Sequence, residues 1–574
     1  MAVRRVVSFA ALVALIAGCG SWADDLFCDG AGCDWAPGAW DRLAALANPG
    51  PPPPDPTNQW ADNPDVAALG KRLYNDTDFS GPSRMADSLK RPTTQGRAPA
   101  GLPTNISCAT CHDLRRGGVD VSSAPGNVSV GAGVTDVNAL PTMNAGYRTT
   151  VFWNGRLDSL WGLNLVVGES DTTLNGTRLQ TAHVLADKYG GDVTTFFGSV
   201  LPPNWIARVA TFPSSGKPGV DAYDHMLDDG DRALVVALLV VWAKAIAAYE
   251  RTLISRDSDF DKFVAEGPRS TRITERAKRG ARLFVGKAGC VDCHSGPQLS
   301  DGAVHNVGVP QTGPAVPTVN DCPAMGACDC TGDGKNCLPW GAYNALLWQR
   351  DTGPKWYPII DAWNDAPVRV PHTAPATPFD PSLKGAWRTP SLRDVALTGP
   401  YMHDGVYQTL DDVLWHYNSA GRDEAPDAVG TPAAQLKPLG LTDDELGELT
   451  AFLETLTGGM PDSPFDGGAT DGCAATGSCA VPTAVQAIFD HSCKLCHAQL
   501  TTAASAYTYL VGARATLGCP DRVLVVPGSA ASSYLIAKVR NLPGICGMPM
   551  PNGGTPLPEA QIQSIEAWIN SLRP

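Results

Sequence analysis

Three times the chain spells Cys-x-x-Cys-His, at Cys108–His112, Cys290–His294 and Cys493–His497. The pentad attaches haem covalently: two thiols add across the haem vinyl groups, and the adjacent histidine becomes the proximal iron ligand. A chain with 17 Cys and 10 His in 574 residues yields roughly 0.01 such pentads by chance. Cys108, Cys111, Cys290, Cys293, Cys493 and Cys496 therefore read as haem thiols, and His112, His294 and His497 as iron ligands, giving three covalently bound haem c. Paired zinc-binding Cys-x-x-Cys units fit less well, because each pair is followed at once by His and lies far from the others.

The first residues read as an export signal. Arg4 and Arg5 precede an apolar stretch from Val6 to Ala17, too short for a bilayer that needs about 20 residues. Ile16-Ala17-Gly18-Cys19 resembles a lipoprotein box, with Cys19 as the lipidated mature N-terminus and Gly20 after it fitting outer-membrane sorting. A plain cleaved signal is the other reading. Either way the expected location is the periplasm, with an outer-membrane lipid anchor as the favoured form. Beyond the haem thiols and Cys19, Cys28, Cys33, Cys322, Cys328, Cys330, Cys337, Cys473, Cys479, Cys519 and Cys546 remain. An even remainder in an exported chain suggests disulfides: Cys28 with Cys33, Cys473 with Cys479, Cys519 with Cys546, and an open choice within Cys322–Cys337. The net charge of −14 argues against nucleic acid and is compatible with a basic redox partner.

Punctuation divides the chain into an N-terminal signal (1–19), a Cys/Pro-rich segment (20–60), a first haem domain (61–255), a second (256–458), a linker (459–481) and a small third domain (482–574). Apolar residues at helical spacing predict helices over Asp65–Tyr74, Thr271–Phe284, Leu441–Leu456 and Pro558–Leu572, the third opened by a capping box at Thr442 and Glu445. The run Ala233–Ala243 reads as a buried helix rather than a membrane span. With almost no strand alternation, the expected class is mostly α, with two cytochrome c-like haem domains packed together plus a third small one.

Several strings carry a family resemblance. Phe152-Trp153-Asn154-Gly155-Arg156 is followed by Asp158-Ser159-Leu160, and Lys244–Arg251 precedes the second haem motif. Cys293-His294-Ser295-Gly296-Pro297, His305-Asn306-Val307-Gly308, Arg388–Arg393 and Pro400–Gly405 follow in order. Residues from Ala61 to Gly458 thus resemble the bacterial dihaem cytochrome c peroxidase family, which includes MauG-like protein-oxidising enzymes. The resemblance implies a peroxidatic N-terminal haem, an electron-storing C-terminal haem, and Trp153 between them; a plain core aromatic is the other reading of Trp153.

It also implies the sixth ligands. For the second haem the family position falls on Tyr417, the residue type of the MauG-like branch, with His416 as the alternative. The first haem lacks a removable histidine, since none occurs between His112 and Tyr147. The family's distal glutamine, proline and glutamate fall on Leu163, Val167 and Thr173, none of which can move the proton that O–O cleavage requires. Glu169 could do so if its loop shifts; otherwise it is a solvated loop acid. Asn138 and the carbonyls of Thr398 and Pro400 match the family's interdomain Ca²⁺ site.

Residues 482–574 resemble a small monohaem cytochrome c, on Val525–Ser529, Ser533-Tyr534-Leu535 and Met550-Pro551. Met550, with Met548 as alternative, is its expected iron ligand. His183, His225, His372 and His491 read as ordinary surface or core histidines. The leading expectation is an enzyme reducing hydrogen peroxide with electrons from a small redox protein or quinol-linked cytochrome. A MauG-like oxidase of a partner protein and a peroxide-inactive electron conduit are the alternatives.

Overall fold

The computed structural model describes residues 35–84, 101–120, 129–310 except 136 and 226, 341–421 except 369, 370, 374, 377 and 378, 430–459, and parts of 481–572. The signal, every cysteine assigned to a disulfide, Cys496, His497 and Met548 lie outside the described residues.

Helices dominate, and the paired strand is two residues long, Val304–His305 running antiparallel to Trp387–Arg388. Among the described residues three large apolar cores organise most of the helices, and each of these has one haem-motif cysteine packed on its edge: Cys108, Cys290 and Cys493.

The first core is built where helix Pro64–Asn75 crosses helix Asp229–Glu250. Asn63 caps the former, accepting from the amides of Asp65 and Val66, and Asp228 caps the latter through Asp231. Their closest approach falls at Gly70, where a Cβ would lie 1.9 Å from the Ala245 carbonyl oxygen. The second core repeats this with helices Glu275–Val285 and Asp443–Glu454, where a Cβ on Gly280 would lie 1.9 Å from Glu448 O. In the third core Thr483–Ser492 meets Glu559–Ser571 through Phe489 and Trp568. The apolar run ending at Lys244 is the middle of the 22-residue helix Asp229–Glu250, buried in the first core. Lys244 is itself buried there and pairs with Asp365 at 2.6 Å.

Two segments pack differently from the sequence expectation. The Pro-rich stretch, read as part of a segment (20–60) separate from the haem domains, packs as a strap on two cores. Helix Ala39–Ala44 sits in the second core, while Gly50 O accepts from Tyr147 Oη and Pro53 O from Arg251 Nη2 at the first. Helices Ala342–Asp351 and Gly353–Trp363, assigned by position to the second domain, lie against the first core: Tyr357 and Ile360 are buried in it.

Residues 138–169 and 388–419 share one backbone design. Asn144 and Asp394 both have φ near +60° and both cap a 3-10 turn; Asn144 N donates to Leu253 O and Asp394 N to Leu456 O. A tight loop follows in each, closed by the bridges Val151–Leu157 and Tyr401–Tyr407, with positive φ at Phe152 (67°) and Met402 (69°). Helix Leu160–Glu169 and helix Leu410–Ser419 come next, both ten residues long. The halves clasp reciprocally: Asn138 N donates to His403 O at 2.7 Å, and Arg388 N donates to Trp153 O at 2.9 Å.

Candidate haem sites

His112 follows the short helix Cys108–Cys111, and its Nδ1 donates to Gly118 O at 2.9 Å. His294 Nδ1 donates to Leu299 O at 2.9 Å. A carbonyl partner requires the proton on Nδ1, which leaves the Nε2 lone pair for iron and fixes the ring plane. Burial lowers the pKa of both imidazoles, keeping them neutral as a metal ligand must be. Burial also pushes Cys108 upward and Cys290 up to about 12, the reverse of what a zinc thiolate site needs. Cys293, Asp301 and His305 lie within ligating reach of one another, but His305 Nε2 is paired with Asp301 at 2.7 Å and Cys293 belongs to the motif.

The shared design locates the opposite faces. Position for position, Val167 on its helix corresponds to Tyr417, and Leu163 to Val413. All four are only partly buried, whereas their neighbours Val166 and His416 point into the protein. The charges of Cys290 and Cys293, after burial, hold the Tyr417 phenol well above its usual range, so Tyr417 lies beside the second motif. His416 is committed elsewhere: Nε2 donates to Val307 O at 2.7 Å and Nδ1 accepts from Tyr407 Oη at 2.8 Å.

Glu169 does not turn inward. Its Oε1 accepts from Arg178 N at 2.9 Å and Nε at 3.0 Å, its Oε2 from Nη2 at 2.8 Å, and both side chains are buried. This corrects the solvated-acid reading and gives Glu169 a structural partner in Arg178. The physical reason is Arg178, whose guanidinium would otherwise be buried alone. Thr173 Oγ1 donates to the carbonyls of Val167 and Ser170.

The acid near the first motif is Glu250, which the sequence reading passed over as part of a helix. It is buried, accepts from Asn164 Nδ2 at 3.0 Å, and is close enough to Cys108 to oppose ionisation of the thiol. Burial pushes it up to about 7. Its signal in the sequence was a carboxylate closing the last, mostly apolar turns of that helix.

Between the halves, Trp153 is buried and its Nε1 donates to Asn138 O at 2.8 Å. Asn138 Nδ2 donates to Pro400 O at 2.9 Å, so this amide and this carbonyl converge; Thr398 lies two residues before Pro400. Arg388 is 5% exposed, and its Nη2 has no hydrogen-bond partner among the described residues. In the third core, Met550 packs against the apolar cluster that also carries Cys493, and its N donates to Lys538 O at 3.1 Å.

The model of the family described as di-haem cytochrome c peroxidase matches residues 64–269. Cytochrome-c peroxidase IdrP1 of Denitromonas iodatirespirans is 30% identical over 415 residues, spanning 71% of this chain and 86% of that protein. The chain belongs to the dihaem cytochrome c peroxidase family. It is thus a peroxidase-type oxidoreductase carrying haem c. Methylamine utilization protein MauG of Methylorubrum extorquens is 26% identical over 395 residues, covering 68% of this chain and 78% of that one. Among solved structures, the diheme peroxidase BthA of Burkholderia thailandensis aligns over 70% of this chain and 89% of its own, at 20% identity and a TM-score of 0.44.

Within this peroxidase family member, the His112 and His294 environments fit haem on observation. Each imidazole is oriented by a carbonyl, each has its cysteine at a core edge, and an unmatched guanidinium nitrogen is buried between the two halves.

Proposed function

We propose that this chain is an exported, lipid-anchored three-haem enzyme that consumes hydrogen peroxide at the His112 haem. In this reading its electrons come from a small redox protein or quinol-linked cytochrome through the Cys493–His497 module. Haem, when bound, supplies two irons in the paired domains that share the two oxidising equivalents of peroxide.

The observation that carries the reading is the pairing of Val167 with Tyr417. An aliphatic side chain cannot ligate, so the His112 side keeps room for a small oxidant, while Tyr417 closes the His294 side. Trp153, wedged between the halves and tied by Nε1 to Asn138, connects them. Glu250 is the carboxyl group positioned to hold a proton beside the first motif, with Asn164 fixing its Oε2. Ca²⁺ at Asn138, Thr398 and Pro400 would brace the seam, the amide turning its oxygen toward the ion. In the third core Met550 is the expected ligand.

Tyr417 also favours a second reading, a MauG-like oxidase acting on a residue of a partner protein. A hard phenolate oxygen lowers a haem potential relative to methionine and favours storing oxidising equivalents over passing electrons on. Stopped-flow spectroscopy of the haem-loaded protein with hydrogen peroxide tests both. A fast Soret change with steady turnover of a reduced cytochrome supports the peroxidase. The same change with a long-lived oxidised state and no donor turnover supports the oxidase. No change faster than haem bleaching refutes both.

A further inference from the structure

We propose that Arg148 and Arg388 anchor the propionates of the first haem. The proposal rests on the haem reading of the Cys108–His112 motif and goes beyond it.

Reciprocity of the two halves makes the argument. Asn138 and Arg388 hold equivalent backbone positions, each donating its amide across the seam, to His403 O and Trp153 O respectively. By the same correspondence Thr398 and Pro400 map onto Arg148 and Thr150. A guanidinium therefore stands where the other half offers an amide, and a second arginine stands where it offers a carbonyl.

Arg388 donates through Nε to Phe152 O at 3.3 Å and through Nη1 to Thr389 O at 3.5 Å, while Nη2 has no partner among the described residues. Among the described residues no carboxylate acts on it, and burial lowers it to about 10. Arg148 lies close enough to His112 and Arg388 for charge to act between them, and donates to Pro141 O. Burial lowers it to about 9, with Glu250 as its opposing acid. The buried Arg388 and the partly buried Arg148 thus stand together, and the carboxyl group acting on Arg148, Glu250, is one that burial itself disfavours as an anion. A buried cation without a counter-anion is strongly unfavourable, and a planar guanidinium is the group that matches a carboxylate edge. Haem bound at His112 brings two carboxylates to this region.

The test uses the haem-loaded full chain with Arg388→Gln, Arg388→Lys and Arg148→Gln. Resonance Raman of the first haem should show the propionate bending bands shifted in both Gln variants. At about pH 8, where a free propionate is ionised, loss of a fixed positive charge should lower the midpoint potential of that haem. Arg388→Lys should restore the potential but not the bands, since it keeps the charge without the fork. The Cys493 haem is the internal reference and should not move. Unchanged bands and potential in a fully loaded Arg388→Gln protein overturn the assignment. If that variant does not accumulate, unshifted bands in Arg388→Lys overturn it equally. Absence of covalent haem at Cys108 and Cys111 by mass spectrometry overturns the underlying haem reading as well.

Discussion

Replacing Glu169 by Gln separates a structural acid from a catalytic one. In the structure its carboxylate accepts three hydrogen bonds from Arg178, at 2.9, 3.0 and 2.8 Å. The amide isostere keeps an oxygen for the Arg178 backbone and Nε, but loses the charge and the acceptor facing Nη2. Deleting one partner of a buried pair costs about 3–5 kcal/mol, and one charge-assisted hydrogen bond about 1.5–3 kcal/mol. Keeping two of three bonds places Glu169→Gln near the lower figures, about 2–3 kcal/mol, or roughly 30- to 150-fold in the folding equilibrium. Urea unfolding followed by tryptophan fluorescence should show a lower midpoint for the first core. Replacing both residues, Glu169→Leu with Arg178→Met, should recover much of the loss, because it leaves no buried charge alone. Well below the midpoint, the peroxide-induced Soret change should keep its wild-type rate. A Glu169→Gln protein of wild-type stability with a Soret change slowed more than tenfold would refute the argument and return Glu169 to the proton-transfer role.

Four further outcomes follow from the geometry. Tyr417→Phe removes the phenolic oxygen beside Cys290 and Cys293, so the second haem should change its spectrum and rise in potential, measured by redox titration. Gly70→Ala and Gly280→Ala each gain up to about 1 kcal/mol in helix propensity, yet drive a methyl group to 1.9 Å from a carbonyl oxygen. Overpacking of about 1–3 kcal/mol should win and lower the unfolding midpoint of the core concerned. His372, bound to Asp158 first and Asp361 second, is raised to about 9 from 6.5. A raised histidine stabilises fully below its unfolded value and loses the effect as pH climbs through about 9. Relative to the intrinsic base-catalysed exchange rate, protection of residues 342–363 should therefore fall between neutral and alkaline pH in the wild type, and should change with pH far less in His372→Gln. Finally, if Asn138, Thr398 and Pro400 hold Ca²⁺, a chelator should alter the peroxide response of the wild type and leave Asn138→Ala, already altered, unchanged.

Much of the helical frame was legible in the sequence. The four periodic segments expected as helices are Pro64–Asn75, Glu275–Val285, Asp443–Glu454 and Glu559–Ser571 in the structure, within a few residues of expectation. Caps and apolar spacing are local signals and travel with the chain. The placement of residues 342–363 against the first core was not legible, because an amphipathic helix says that a face is buried and not which core buries it. Glu169 shows the same limit: its partner Arg178 is nine positions away across a loop, and nothing in the intervening residues signals the pair. The histidine assigned no role, His372, turns out to bridge two carboxylates, one of them 214 positions away.

The duplication was hidden for a different reason. Residues 138–169 and 388–419 share Gly155 with Gly405 and Leu160 with Leu410, but at their working positions the side chains differ while the backbone agrees. Positive φ at Phe152 and Met402 is unusual for bulky residues, and its recurrence at equivalent places means the fold, not the side chain, demands it. Once that correspondence is drawn, the differences become informative. Val167 corresponds to Tyr417, Trp153 to His403, Asn138 to Arg388, and Asn164, which donates to Glu250, to Leu414. Each substitution changes what a haem in that half could meet: an aliphatic side chain or a phenol, an indole or an imidazole, an amide or a guanidinium. A symmetric pair of haems would divide two oxidising equivalents evenly and react with peroxide on either side. The asymmetry at these few positions, set on a common backbone, is what would let one half admit the oxidant while the other holds charge.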